Sequence, residues 1–119
     1  MEFRVIIAGG RDFDDYELLV ERCDHFLSNK SNVVIVSDTA RGADQLGEKY
    51  AEYRGFPVEK FPADWDKYGK SAGYKRNKQM AEHADALIAF WDGKSKGTGH
   101  MINLAREKNI GVKVVNYKK

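Results

Sequence analysis

The chain has 119 residues, of which one is cysteine, two are proline and three are histidine. A single cysteine, Cys23, cannot form an internal disulfide. Set on an apolar helix face, it reads as a small core residue, and a reducing cytoplasm is the expected setting. The histidines, His25, His83 and His100, show no Cys/His ligand spacing, so no metal and no cofactor is expected. No apolar run approaches the roughly 20 residues of a membrane span, so no membrane contact is expected. The first residues read as a strand and not as a signal peptide. Charge of one sign is also lacking. Lys and Arg number 20 against 18 for Asp and Glu, a net charge of +2. That is too little by itself to argue for a nucleic-acid partner. Lysines still cluster at 67–78, 94–96 and 118–119 and leave a local basic face open. Linkers, low-complexity tracts and internal repeats are absent. The length suits one domain, residues 1–119, with a single hydrophobic core.

What the chain does have is a regular alternation of strand and helix patterns. Phe3 to Ala8, Val33 to Val36 and Ala86 to Trp91 are apolar without polar alternation, as strands buried on both faces are. Pro57 to Phe61 is shorter and more polar and reads as an edge strand. Val112 to Val115 is the fifth. Between them, Leu19, Cys23, Phe26 and Leu27 form one helical stripe, with Asp14 or Asp15 as its cap. A second helix is predicted over about Ala43 to Tyr53, with Leu46, Tyr50 and Tyr53 on one side and Gly55 at its end. Pro62 to Lys70 reads as a loop. A third helix opens at Ser71 or Gly73 and runs to about His83, and a fourth covers about Thr98 to Lys108. This pattern predicts an α/β fold: a single three-layer Rossmann-like domain around a five-stranded, mainly parallel sheet of order 3-2-1-4-5. Ligands of such sheets sit beyond the carboxyl ends of the strands, where the order reverses. That point lies between strands one and four.

Three glycine-containing turns converge there. Gly93-Lys94-Ser95 looks like the end of a P-loop, but the required earlier glycine is Ile88, inside a strand. Gly97-Thr98-Gly99 begins like a dinucleotide fingerprint, yet Ile102 occupies the place of the third glycine. Neither motif is complete. Gly9 and Gly10 follow a buried strand directly, either as a turn needing positive φ or as a close approach to a phosphate, with Arg11 adding charge. In the second turn Ser37 and Thr39 offer hydroxyls, Arg41 can grip a phosphate or carboxylate with two parallel bonds, and Gly42 and Asp44 open the next helix. Asp44 is a candidate for a ribose hydroxyl or for Arg41, or a simple capping carboxylate. In the third turn Ser95, Gly97, Thr98 and Gly99 can hold phosphate through N–H and hydroxyl groups, beside Lys94 and Lys96. His100, Arg76 and Asn77 complete the candidate set. Trp65 and Trp91 read as core or pocket-wall aromatics, with stacking on a base as the alternative.

The motifs Gly9-Gly10-Arg11-Asp12-Phe13, Ala40-Arg41-Gly42-Ala43-Asp44, Phe61-Pro62-Ala63-Asp64-Trp65, Arg76-Asn77 and Phe90-Trp91-Asp92-Gly93-Lys94-Ser95-Lys96-Gly97-Thr98 occur in this order. Together they resemble the YspA-like branch of the SLOG superfamily, whose members occur in bacteria and their phages. The superfamily also holds the Lonely Guy phosphoribohydrolases, the DNA-processing protein DprA and sensor domains of bacterial conflict systems. The resemblance implies a modified Rossmann fold that binds nucleotides or nucleotide-derived ligands, and a homo-oligomer. Arg76 resembles the helix arginine of Lonely Guy enzymes, and Lys94 to Thr98 resembles their phosphate loop. The position of their catalytic glutamate is Met101, which cannot transfer a proton. Asp38 stands where similar sequences carry glycine, and a carboxylate there can repel phosphate or bond a ribose.

Three functions are therefore carried forward. The first is a module that binds a nucleotide or nucleotide-derived ligand. The second is an N-glycosidase of nucleoside monophosphates, with Arg76 as electrostatic stabiliser and Asp44 or His100 as catalytic acid-base groups. The third, a DprA-like nucleic-acid binder, ranks last because the sequence shows no obvious aromatic-basic stacking platform.

Overall fold

A computed structural model describes residues 2–38 and 42–117. The chain runs β1 (Phe3–Gly9), α1 (Tyr16–Leu27), β2 (Val33–Ser37), α2 (Ala43–Arg54), β3 (Val58–Lys60), α3 (Trp65–Tyr68), α4 (Ala72–His83), β4 (Ala86–Trp91), α5 (Lys96–Glu107) and β5 (Gly111–Asn116). All four strand pairings are parallel, in the order β3-β2-β1-β4-β5.

Parallel pairing forces a crossover between neighbours, and the crossovers supply two helical layers. Strand periodicity divides the core between them. On β1, Val5 and Ile7 face the layer that holds Leu19 and Cys23 of α1 and Tyr50 of α2. Ile6 and Ala8 face the opposite layer, with Met80 of α4 and Met101 and Ile102 of α5. This explains why β1, β2 and β4 read as unbroken apolar runs, since both of their faces are covered. Each fully buried Ile, Leu or Phe contributes roughly 1.5–3 kcal/mol. Cys23 is part of this core, and burial pushes its thiol up to about 12.

The helix ends follow ordinary capping chemistry. Asp15 caps α1, its Oδ1 accepting from Leu18 N at 3.1 Å. Gly55 ends α2 with φ of 74°. Asn109, with φ of 58°, lies just past the end of α5.

Three local expectations change. Tyr53 lies 63% exposed instead of on the buried side of α2, because the stripe against the sheet is Ala43, Gly47, Tyr50 and Ala51. The stretch expected as a loop contains α3, a single turn capped by Asp64, whose Oδ1 accepts from Lys67 N at 3.1 Å. A 3₁₀ turn, Gly69–Ser71, then leads into α4. Finally, α5 starts at Lys96, so Gly97, Thr98 and Gly99 belong to its first turn and not to a loop before it. Among the described residues no helix is long and apolar enough to cross a membrane.

Candidate functional site

The strand order reverses between β1 and β4, which are hydrogen-bonded neighbours up to the pair Gly9 and Phe90. Beyond their carboxyl ends lies a cleft of about 460 Å³. Residues from all three turns and from α4 reach it: Gly9, Gly10 and Arg11 after β1, Asp38 and Asp44 around the β2–α2 turn, Ser95, Gly97 and Thr98 at α5, and Arg76 and Asn77. Thr39 and Arg41 fall outside the described residues. Asp12, Asp92 and Met101 also line the cleft and were absent from the candidate set.

Not every candidate reaches this space. Ser37 is buried and donates its hydroxyl to Glu48 Oε2 at 2.6 Å. Gly99 lies under the Trp91 ring, where an added Cβ would stand 3.3 Å from Cζ2. His100 lies beside Asn77 and packs perpendicular to the Tyr74 ring, with ring centres 4.5 Å apart. Asn77 Oδ1 accepts from Arg76 and its Nδ2 donates to Gly97 O at 3.4 Å. That orientation of the amide makes His100 Nδ1, 3.2 Å from Nδ2, an acceptor and leaves the ring proton on Nε2. Burial lowers the His100 pKa from its ordinary value, which favours the same neutral ring.

The glycines have different causes. Neither Gly9 nor Gly10 has a positive φ. A Cβ on Gly9 would stand 2.3 Å from Phe90 O and 2.8 Å from Ala43 Cβ. One on Gly10 would meet Tyr117 Oη at 2.4 Å. Gly42 does take positive φ, 79°, and its face is closed by Gly10 O. Gly10 O accepts from both Phe13 N and Ala43 N, which ties the β1–α1 turn to the start of α2. This glycine cluster is thus explained by contacts within the chain.

The β4–α5 turn is built otherwise. Asp92 Oδ1 accepts from Lys94 N and Ser95 N, both at 2.8 Å, and Gly93 takes φ of 83°. This is an Asx turn, and Asp-Gly is its sequence signature. It uses the N–H groups ahead of the helix. Trp91 Nε1 donates to Ser95 O at 3.0 Å and braces the turn from below. Ser95, the N-cap, makes no side-chain capping bond, and its Oγ lies 3.3 Å from Thr98 Oγ1. The N–H groups of Lys96, Gly97 and Thr98 have no acceptor within a helix that starts here. They carry the positive end of the helix dipole.

Between the turns lies a charged array. Arg76 Nη2 is 3.2 Å from Asp38 Oδ2, with these side chains only 15% and 12% exposed. Asp44, 2% exposed, accepts a hydrogen bond from Asp38 N at 3.4 Å. Its pKa is raised well above the ordinary carboxylate value, first by burial and then by the neighbouring charge and carboxyl hydrogen bond of Asp38, with Arg76 opposing. Asp44 is therefore held toward its protonated form, able to donate as well as accept. The other two lining carboxylates are also engaged. Asp12 accepts from Tyr117 Oη at 2.8 Å, and Asp92 holds its own turn. Tertiary pairing of this kind leaves no trace in local sequence pattern, although Asp38 stood out by type.

Fold and cleft together define a Rossmann-like domain with a polar site at the switch point. The family model described as "YspA, cpYpsA-related SLOG family" matches residues 3–68. The chain is 35% identical over 121 residues to gene 61 protein of Mycobacterium phage D29, covering 96% of this chain and 95% of that protein. The chain belongs to this SLOG family. Among solved structures it is similar to DNA processing protein A (DprA) from Streptococcus pneumoniae, with TM-score 0.74 and 19% identity over 96% of this chain. That likeness shows a shared fold, and the chain spans 50% of the DprA chain.

Proposed function

We propose that the cleft is a binding site for a nucleotide or nucleotide-derived ligand. One observation carries the reading: the open first turn of α5 and the Asp38–Asp44–Arg76 array line the same cleft. Phosphate is matched to the N–H groups of Lys96 to Thr98 and the Ser95 and Thr98 hydroxyls. Arg11 at the mouth and Arg76 deeper in supply positive charge. Asp38 and Asp44 suit ribose hydroxyls, since their carboxyl oxygens accept hydrogen bonds and the raised pKa of Asp44 favours a form that also donates.

A second reading is favoured by the state of Asp44. A buried carboxyl whose pKa burial and Asp38 raise, next to Arg76, is a candidate general acid for cleavage of a nucleoside monophosphate at its N-glycosidic bond. Against it, Met101 presents an apolar side chain to the cleft where the resemblance would place a glutamate.

Native mass spectrometry of the purified protein, followed by calorimetric titration with the four common nucleoside monophosphates, tests both. Retention or saturable binding of a nucleotide that is lost in Arg76→Ala supports the binding module. Release of free base, abolished in Asp44→Asn, supports the enzyme. Absence of binding and of turnover across the panel overturns both.

A further inference from the structure

The segment from α3 into α4 presents two large aromatic side chains to solvent. Trp65 is 56% exposed and Tyr74 is 50% exposed. The aromatic character of Trp65 predicts core or pocket wall, with stacking on a base as the alternative, and the structure places it on the surface. The ring still has a fixed seat. A Cβ built on Gly73 would lie 3.6 Å from Trp65 Cη2 and 3.7 Å from Arg76 Nη2, so Trp65 stands at the start of α4 beside the arginine that lines the cleft. Tyr74 follows Gly73 and packs perpendicular to His100, with ring centres 4.5 Å apart, while half of it stays exposed.

Around these rings cations outnumber carboxylates. Lys67, Lys70, Lys75 and Lys78 are all exposed, against two carboxylates, Asp64, which caps α3 and lines the groove beside it, and Asp66. Tyr68 organises two of the lysines, with Lys75 Nζ 4.9 Å and Lys67 Nζ 5.2 Å from its ring centre. A groove of about 180 Å³ runs between α3 and α4 and shares Arg76 with the cleft.

We propose that this face binds single-stranded nucleic acid, with unpaired bases stacked on Trp65 and Tyr74 and phosphates on the flanking lysines. Exposed aromatic faces set among cations match a chain that alternates flat apolar rings with negative charges. A duplex keeps its bases stacked on one another and offers nothing to Trp65. A second copy docking symmetrically through this face would set lysines against lysines. The inference stands on the α3–α4 surface alone and does not need a nucleotide in the cleft. The platform that the sequence lacked in any obvious form arises because the short α3 folds Trp65 back beside α4.

The test is fluorescence anisotropy with a labelled oligothymidylate of about 12 nucleotides, read together with tryptophan emission. Expected are saturable binding, quenching of emission, and affinity that drops at least tenfold between about 50 and 200 mM salt. Trp65→Ala should lose roughly 5- to 100-fold in affinity along with the quenching, whereas Trp65→Phe keeps most of both. Lys70→Glu with Lys78→Glu should flatten the salt dependence. Circular dichroism checks the fold of each variant, and nucleoside monophosphate binding in the cleft is measured in parallel as the separate reading. Unchanged affinity in Trp65→Ala overturns the proposal. So does equal binding of a duplex of the same length, or no saturable binding of the oligonucleotide, whether or not anionic vesicles or a second copy protect Trp65.

Discussion

Two glycine-bearing turns meet at the cleft, and their glycines exist for opposite reasons. In the turn after β1, the protein itself occupies the space a side chain would need, with Phe90 O and Ala43 Cβ against Gly9 and Tyr117 Oη against Gly10. In the first turn of α5, a Cβ on Gly97 would meet nothing within 4 Å. The first set is required by packing between strand, helix and C-terminal tail. Gly97 is unexplained by any such contact and faces the cleft, whereas Gly99, two residues on, is packed under Trp91. A glycine-rich motif read from sequence thus merges two causes, and only the structure separates the turn packed against its neighbours from the turn that opens to the cleft.

The comparison can be broken most severely at Gly9. Gly9→Ala forces backbone apart on both sides and should cost about 3 kcal/mol or more. Urea denaturation measures it, and a near-neutral result would mean that the β1 turn has slack. At the seam between the turns, Asp44→Asn should show a pH-dependent difference. The unfolded chain ionises this group near pH 3.9. The folded chain holds it protonated to higher pH, so its contribution is complete below that value and is lost as pH rises toward the folded pKa. The variant should therefore gain on the wild type with rising pH, by at most about 1.4 kcal/mol per unit. Glu59, lowered mainly by its hydrogen bond with His83, acts in the opposite sense in both proteins and cancels in the difference. Thermal unfolding of the pair across pH 4 to 8 checks the sign. Tyr117→Phe removes the hydrogen bond to Asp12 and should cost about 0.5–1.5 kcal/mol, seen as a small loss in denaturant midpoint. The smallest effect belongs to Gly97→Ala, which should leave the fold unharmed or raise stability by about 0.5–1 kcal/mol.

The sheet was legible because β1, β2 and β4 are buried on both faces and therefore apolar throughout, and because each helix carries a stripe. The order β3-β2-β1-β4-β5 follows from crossover rules applied to that alternation. The single turn α3 was not legible, since 4 residues cannot display a helical period. The start of α5 was hidden by Gly97 and Gly99, which argue locally against helix. Around the cleft, the turns were found from their glycines and hydroxyls. The Arg76–Asp38 pair and the burial of Asp44 depend on elements distant in sequence, and no local pattern encodes them. Asp92 was within reach, because Asp-Gly after a strand is an Asx-turn signature.

The most direct measurement is calorimetric binding of nucleoside monophosphates to Gly97→Asp beside Gly97→Ala and the wild type. A carboxylate at this position sits in the first turn of α5, where the helix dipole favours it, so the fold should be as stable as before. It would also occupy the place assigned to phosphate. Affinity at least tenfold weaker in Gly97→Asp, with Gly97→Ala between it and the wild type, is the expected result. Equal affinity in all three would contradict a phosphate site at the start of α5.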